Sequence, residues 1–285
     1  MTANTDPQRT WARRLGRRVA RTLVTGFPRR FGLLEVLALG SQEWMRRHLA
    51  IINALERTRL ARGRAELRIL DFGGADGSLA RALDFYGLTD RYRLVLVDID
   101  RAAIAAAVIR SPIESAVAID PSSDLPFDMD SFDVVVSSDV FEHIPATERD
   151  RWAAELERVS RMGQIHSMPA DSADGQWRST ETDRVFQRWH VDRFGIPERW
   201  TAEHLATGLP TIEALRRTFP EAHIEGISNV RLWLAAMHAQ FGPKHVAARA
   251  WFAVKYYARY RRLDGRPPFK NCLVVTTSAE GGGTP

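Results

Sequence analysis

Residues 67–79 read LRILDFGGADGSL, an apolar run that ends in an acid and continues into a glycine-rich turn. This pattern predicts a buried β-strand, a tight loop and the start of an α-helix. Because Gly73 and Gly77 lack a Cβ atom, the loop is able to turn sharply and to present backbone N–H groups to a ligand at the helix N-terminus. We therefore predict a small-molecule binding loop at residues 73–77.

The loop does not identify its ligand, since glycine-rich turns of this kind also bind the pyrophosphate of dinucleotides. Dinucleotide spacing would require small residues at Gly73, Ala75 and Ser78, which the chain meets only loosely. The carboxylate of Asp71, at the end of the strand, would repel a pyrophosphate but would pair with an ammonium group. A turn that only lets the helix pack on the sheet is the structural alternative.

A second apolar run, RLVLVDID at residues 93–100, ends in acids about 20 residues beyond the glycines, where a ribose-binding carboxylate is expected. Its continuous aliphatic character is typical of a strand that is buried on both faces. We expect Asp98 to accept hydrogen bonds from ribose hydroxyls and Ile99 to lie against adenine. Asp100 is expected to cap the helix that follows.

A third stretch, LPFDMDSFDVVVSSDVFEHIP at residues 125–145, completes a recognisable combination. With the two strands above, it resembles the class I S-adenosylmethionine-dependent methyltransferases. Their usual pattern is Asp-x-Gly-x-Gly-x-Gly after the first strand, an acid that closes the second, then Leu-Pro-Phe, Ser-Phe-Asp and Glu-His-Ile-Pro. The resemblance covers residues 65–169. It implies S-adenosyl-L-methionine as the cofactor, with contacts from the residues Asp71, Gly73, Gly74, Ala75, Gly77, Asp98, Ile99 and Ser138.

The chain departs from that family pattern at two positions. Ala75 stands where the family has the middle glycine of the loop, and it adds only a methyl group. The family commonly has an adenine-binding Asp four residues before Leu-Pro-Phe, whereas this chain has Pro121 there and Asp120 one place earlier. Either the loop is one residue longer and Asp120 reaches the adenine amino group, or Ser122 or Ser123 makes that contact.

The alternation of strands and helices over residues 65–169 predicts an α/β fold with a doubly wound sheet. We expect a Rossmann-like, seven-stranded, mostly parallel sheet with helices on both faces and, from the family, an antiparallel last strand at residues 269–277. Residues 1–64 are interpreted as a basic arm and a helical lead-in. Residues 170–285 are interpreted as a substrate-facing insertion, in which regular structure fails between residues 170 and 200, followed by a long helical segment and the last strands.

Composition points to a protein of a reducing compartment. The single cysteine, Cys272, excludes a disulfide framework and a cysteine-based metal site. No stretch approaches the roughly 20 apolar residues of a membrane span, and the N-terminus lacks the apolar core of a signal peptide. We therefore expect a soluble, cytoplasmic protein.

The formal net charge of +5 is unevenly distributed, because residues 9–30 contain many arginines and no acid. The simplest interpretation of this arm is a solvated basic tail. Peripheral contact with an anionic membrane surface is the minority interpretation, and we do not expect nucleic acid as a partner. Steeply salt-dependent binding of RNA or DNA would favour a non-enzymatic nucleic-acid-binding module instead.

Methyl transfer from a sulfonium depends mainly on placing the nucleophile, and a hydroxyl acceptor benefits from a general base. We predict His190 first, because Asp192 lies nearby in the sequence, and His143 second as catalytic residues. Asp139, Glu142 and His143 are spaced to share a helical face and are similar to the metal ligands of some family members. Two acids and one histidine are an incomplete ligand set, so a structural role is favoured and no metal is expected.

The leading hypothesis is a methyltransferase that acts on an oxygen of a small molecule, glycan or lipid-linked glycan. A nicotinamide-dependent oxidoreductase shares the fold and is the first alternative. A non-enzymatic cofactor-binding or nucleic-acid-binding module is the second. The sequence does not name the methyl acceptor.

Overall fold

A computed structural model describes residues 42–241, 263 and 265–277 of the chain. Within these ranges the strands are β1 (Leu67–Phe72), β2 (Tyr92–Asp98), β3 (Ser115–Ala118), β4 (Val134–Ser138), β5 (Gln164–Pro169), β6 (His223–Asn229) and β7 (Phe269–Val275). The helices are α1 (Gln42–Ala61), α2 (Ser78–Phe85), α3 (Arg101–Arg110), α4 (Arg149–Val159), α5 (Ser179–Phe194), α6 (Arg199–Thr207), α7 (Ile212–Thr218) and α8 (Val230–Phe241).

The strands form one seven-stranded sheet in the order β3-β2-β1-β4-β5-β7-β6. Strands β1 to β5 pair in parallel, whereas β7 runs antiparallel to both β5 and β6. This confirms the predicted α/β class, the Rossmann-like mostly parallel sheet and the direction of the last strand. The strand order reverses between β1 and β4, and open sheets of this type bind ligands in the crevice at that point.

The core consists of two apolar clusters, one on each face of the sheet. Successive residues of β1 divide between them, since Ile69 belongs to the cluster packed under α1 and α2, whereas Leu70 belongs to the cluster that contains Trp152 of α4. Alternating strand side chains point to opposite faces, so helices must cover both. The continuous apolar runs noted in the sequence are therefore explained by burial on both faces.

The expectation of irregular structure between residues 170 and 200 is wrong, because α5 occupies most of this segment. The residues that α5 buries recur at helical spacing, but most of them are polar, and an analysis of apolar periodicity misses them. They are Ser179, Thr182, Asp183, Phe186, Gln187 and His190.

Several predictions fall on residues outside the described ranges. These are the basic arm, the first part of the lead-in and most of the long helical segment after residue 241. Within the described part of the chain, no helix is both long and apolar enough to span a membrane.

Candidate active site

A cavity of about 1550 Å³ opens at the carboxyl edge of the sheet, where β1 and β4 end. Its lining combines the glycine loop after β1, the end of β2, the loop before residue 123, the turn after β4 and α6. A smaller cavity of about 90 Å³ adjoins it and shares Gly73, Ala75 and Ser138 with it. The fold thus places the predicted cofactor loop in the wall of a large cavity.

The loop after β1 has the left-handed backbone that its sequence predicts. Gly73 and Gly77 have φ angles of +70° and +77°. A Cβ atom on Gly73 would come within 2.4 Å of Val140, and one on Gly74 within 2.6 Å of Asp71 Oδ2. Ala75 also has a positive φ, 45°, so a residue with a Cβ holds a position that ordinarily favours glycine. At positions 73 and 74, by contrast, only glycine avoids these overlaps.

The second acid of the prediction, Asp98, fastens this loop to the end of β2. Its carboxylate accepts the backbone N–H of Ala75 at 2.8 Å and that of Asp100 at 2.8 Å. A carboxylate has room for further donors, so Asp98 remains able to accept from a ligand hydroxyl. Asp100 caps α3 through the backbone N–H groups of Ala102 and Ala103, as the sequence predicted.

Ile99 is 64% exposed and lines the large cavity. An aliphatic side chain gains about 25 cal/mol for every Å² of apolar surface that a ligand covers. Contact with the flat face of a base would therefore stabilise the Ile99 side chain relative to exposure to water.

Asp71 is buried beside the glycine loop, and its Oδ2 atom has no hydrogen-bond partner among the described residues. Burial, aided by the negative charge of Asp98, raises the pKa of Asp71 to about 7. An unpaired buried carboxylate is costly unless a donor or cation reaches it. Asp71 lines the smaller cavity, where an ammonium group would supply that partner.

Asp120, which was predicted to reach adenine, lies outside the lining of the large cavity. The Asp120 carboxylate accepts hydrogen bonds from the backbone N–H and the hydroxyl of Ser122, at 2.9 and 2.7 Å. Ser122 lines the large cavity together with Pro121, whereas Asp120 is absent from its lining. Of the alternatives left open by the sequence, the geometry favours Ser122.

The Asp139, Glu142 and His143 segment forms a turn rather than a helix. Arg149 holds this turn by donating from Nε to the carbonyls of Phe141 and Ile144, at 3.1 and 3.0 Å. Asp139 adopts a positive φ of 54° and forms an ion pair with Arg47. The shared helical face that the spacing suggested is therefore absent.

The predicted catalytic histidines separate in the structure. His143 lines the large cavity, and burial lowers its pKa although Glu203 lies beside it. His190 is instead packed among aromatic rings with its Nδ1 2.8 Å from the carbonyl oxygen of Ile196, and it is absent from the cavity lining. Because His190 lies on the buried face of α5, we assign it no catalytic role.

Four cavity-lining residues that matter for the site escaped the sequence analysis: Trp200, Glu203, His204 and Lys270. The first three lie on α6, which packs against α5 and brings a second histidine to within 5.3 Å of His143 between ring centroids. The Glu-His pair at residues 203–204 repeats the Glu-His pair at residues 142–143. That repetition was the only signal in the sequence, and it does not by itself indicate contact.

The fold and the cavity define a class of protein. The sheet order, the glycine loop and the acid that closes β2 form the cofactor-binding architecture of class I S-adenosylmethionine-dependent methyltransferases. The residues present fit this cofactor, because Asp71 offers an unpartnered carboxylate, Gly73 and Gly74 leave no space for a Cβ, and Ile99 offers an exposed apolar face.

The family model described as "Methyltransferase domain" matches residues 70–167. Residues 70–167 are accordingly a class I S-adenosylmethionine-dependent methyltransferase domain, and S-adenosyl-L-methionine is its cofactor. The match does not favour the nicotinamide-dependent alternative. No curated protein sequence matches the chain significantly.

Solved structures of similar fold include magnesium protoporphyrin IX methyltransferase from Synechocystis PCC 6803 with bound S-adenosylhomocysteine, at 14% identity and a TM-score of 0.47, covering 93% of this chain and 100% of that one. A putative sarcosine dimethylglycine methyltransferase from Galdieria sulphuraria is 14% identical with a TM-score of 0.45, covering 84% and 85%. YcgJ from Bacillus subtilis is 16% identical with a TM-score of 0.45, covering 80% and 98%.

The raised pKa of Asp71 predicts that cofactor affinity depends on pH. The ionised carboxylate favours an ammonium group, and Asp71 loses its proton as the pH rises through about 7. The dissociation constant of S-adenosylhomocysteine should therefore be about tenfold higher near pH 6 than near pH 7.5. Calorimetric titration at both pH values measures this difference. Asp71→Asn should bind weakly at both, and an equal pH dependence in the variant would contradict the assignment.

Proposed function

We propose that this methyltransferase acts on an oxygen, specifically a hydroxyl, of a small-molecule or glycan acceptor. The observation that carries the proposal is that one cavity is lined both by the glycine loop and by a cluster of His143, Trp200 and His204. Its volume of about 1550 Å³ exceeds the roughly 300–1000 Å³ of an ordinary small-molecule pocket. The cavity therefore has room for an acceptor beside the cofactor.

The chain's contribution to such a reaction is chiefly positional. Bound S-adenosyl-L-methionine supplies a methyl group on a sulfonium, which is a good leaving group. The protein must hold the acceptor oxygen in line and keep water out. A hydroxyl has a high pKa, so a group beside it must assist the loss of its proton. We propose that His143 acts at this oxygen, because its lowered pKa leaves the ring neutral near pH 7.

Trp200 supports an acceptor with a flat or weakly polar face. Its ring is 51% exposed, lies 5.8 Å from the ring of His143 and is covered on one side by the Arg199 guanidinium, 4.4 Å from the centroid. A tryptophan face presented to a cavity packs well against an aromatic ring or the apolar face of a sugar. An exposed tryptophan next to the proposed reacting group would thus orient the acceptor.

The test measures release of S-adenosylhomocysteine in the presence of candidate acceptors. Phenols and phenyl glycosides are compared with the corresponding anilines, and the products are identified by mass spectrometry. We expect the hydroxyl compounds to be methylated and the amines not. Trp200→Ala should raise the acceptor KM about tenfold, the equivalent of roughly 1.4 kcal/mol of lost stacking, without changing cofactor affinity.

Phe194→Ala is the matched control, because Phe194 is 44% exposed and absent from the cavity lining. It should leave the acceptor KM unchanged. Methylation confined to the amines would overturn the proposed oxygen acceptor.

A further inference from the structure

We infer that Glu142, His143 and His204 form a binding site for a divalent first-row transition metal ion. One ligating atom from each of the three residues lies within 4.8 Å of the other two. Glu142 and His143 come from the turn after β4, and His204 comes from α6. The site is therefore assembled by tertiary structure across 61 residues of sequence separation, from position 143 to position 204.

Each histidine is held by a carboxylate in the way that metal-ligating histidines are. The Nδ1 atom of His143 lies 2.9 Å from Glu203 Oε1, and the Nδ1 atom of His204 lies 3.0 Å from Asp183 Oδ2. A carboxylate accepts a hydrogen bond from Nδ1–H, which fixes the tautomer and leaves the Nε2 lone pair for a ligand.

Glu142 gives an independent reason to place a cation here. The side chain is 2% exposed, and neither of its carboxylate oxygens has a hydrogen-bond partner among the described residues. A buried carboxylate that accepts no hydrogen bond is unfavourable, and the nearby positive charges of Arg47, Lys270 and Arg149 offset this only in part. A metal ion between Glu142 and the two imidazoles would satisfy it.

Asp139 is not part of this donor set, because its carboxylate is engaged in the ion pair with Arg47. The set differs in this way from the Asp139, Glu142 and His143 trio suggested by sequence spacing. Two imidazole nitrogens and one carboxylate suit zinc, manganese, iron, cobalt or nickel better than calcium, which prefers oxygen ligands. Three protein ligands would also leave coordination positions for other ligands.

The role of the ion in catalysis rests on the proposed function, namely methylation of an oxygen. Binding of the ion by the protein does not depend on that proposal. A hydroxyl that contacts a divalent ion has a lowered pKa. Its proton would pass to solvent, the oxygen would form the bond to the methyl carbon, and the carbon–sulfur bond would break with its electron pair retained by sulfur. In this arrangement the ion takes over the role proposed above for the neutral His143 ring, because a ring nitrogen that binds the ion has no lone pair left to accept a proton.

The experiment measures metal binding rather than activity. The full chain, treated with a chelator and dialysed, is titrated with Mn²⁺ by electron paramagnetic resonance and with Co²⁺ by visible absorption. We expect one site in the wild type and at least tenfold weaker binding in His204→Ala and in Glu142→Gln. His223→Ala is the matched control, since this histidine on β6 is 73% exposed and outside the cluster.

Binding of S-adenosylhomocysteine by each variant verifies that it is folded. If His204→Ala loses this binding, the test rests on Glu142→Gln, which preserves the side-chain volume. Metal binding that depends on Glu142 and His204 supports the site even if no hydroxyl is methylated, in which case the proposed function alone fails. A wild-type chain that binds neither ion, or variants that bind as tightly as the His223→Ala control, would overturn the inference.

Discussion

Gly73→Ala is expected to weaken the binding of S-adenosylhomocysteine by about 10- to 100-fold. The methyl group would meet Val140 Cγ2 at 2.4 Å, and the φ angle of +70° is unfavourable for any residue with a Cβ. Moving the loop or Val140 to remove this overlap costs about 1–3 kcal/mol, which corresponds to that range of affinity. Both the loop and Val140 line the cavity, so the cost falls on ligand binding.

Gly195→Ala is the control that separates the cost of a positive φ angle from the cost of the steric overlap with Val140. Gly195 has a φ of +75° at the end of α5, but a Cβ there has no heavy atom within 4 Å. Calorimetric titration should give wild-type affinity for Gly195→Ala, although both variants lose some stability on thermal unfolding. Equal affinities of the two variants would mean that the Gly73 loop does not contact the ligand.

The fold was predictable because its determinants are local and repeated. The apolar runs that end in Asp71 and Asp98 mark strands buried on both faces, and the glycines between them can form only a tight turn at this position. The cofactor side of the site is built by these same segments. A strand end and the loop that follows it are close in both sequence and space, so sequence reasoning reaches them.

The proposed acceptor side was not predictable, because it depends on which faces of α5 and α6 meet the sheet. The buried face of α5 carries Thr182, Asp183 and Gln187, and a polar face is ordinarily assigned to solvent. Because polar residues are ordinarily assigned to solvent, His190 was also predicted to be a catalytic residue in a polar loop, although it packs in the interior. Nothing in the sequence indicated that His204 would come to lie beside His143.

The burial of Lys270 was likewise not predictable from the sequence, although its strand was correctly predicted. Lys270 is the second residue of β7, between Phe269 and Asn271, yet it is only 2% exposed, and its Nζ atom lies 2.8 Å from the fully buried carboxylate of Asp183. Lysine is rarely buried unless it is paired, and the partner here lies 87 residues away in the sequence. The pair is therefore visible only in the folded structure.

Asp183→Ala is expected to lower the free energy of unfolding by about 3–5 kcal/mol, because it leaves the buried Lys270 ammonium without its counter-charge. Asp183 also accepts from His204, so two buried donors lose their partner at once. Urea unfolding of the wild type and the variant measures the difference. Glu66→Ala is the matched control, since the Arg93–Glu66 pair is 3.5 Å long with side chains 58% and 44% exposed, and its loss should cost less than about 1 kcal/mol.

A double variant distinguishes loss of charge compensation from loss of packing. Asp183→Leu with Lys270→Met removes both buried charges and keeps most of the side-chain volume, so it should recover most of the stability lost in Asp183→Ala. Recovery of stability without recovery of the proposed metal affinity is expected, because His204 still lacks the carboxylate that orients its ring. If the double variant is no more stable than Asp183→Ala, the uncompensated lysine is not the source of the loss, and packing around α5 is.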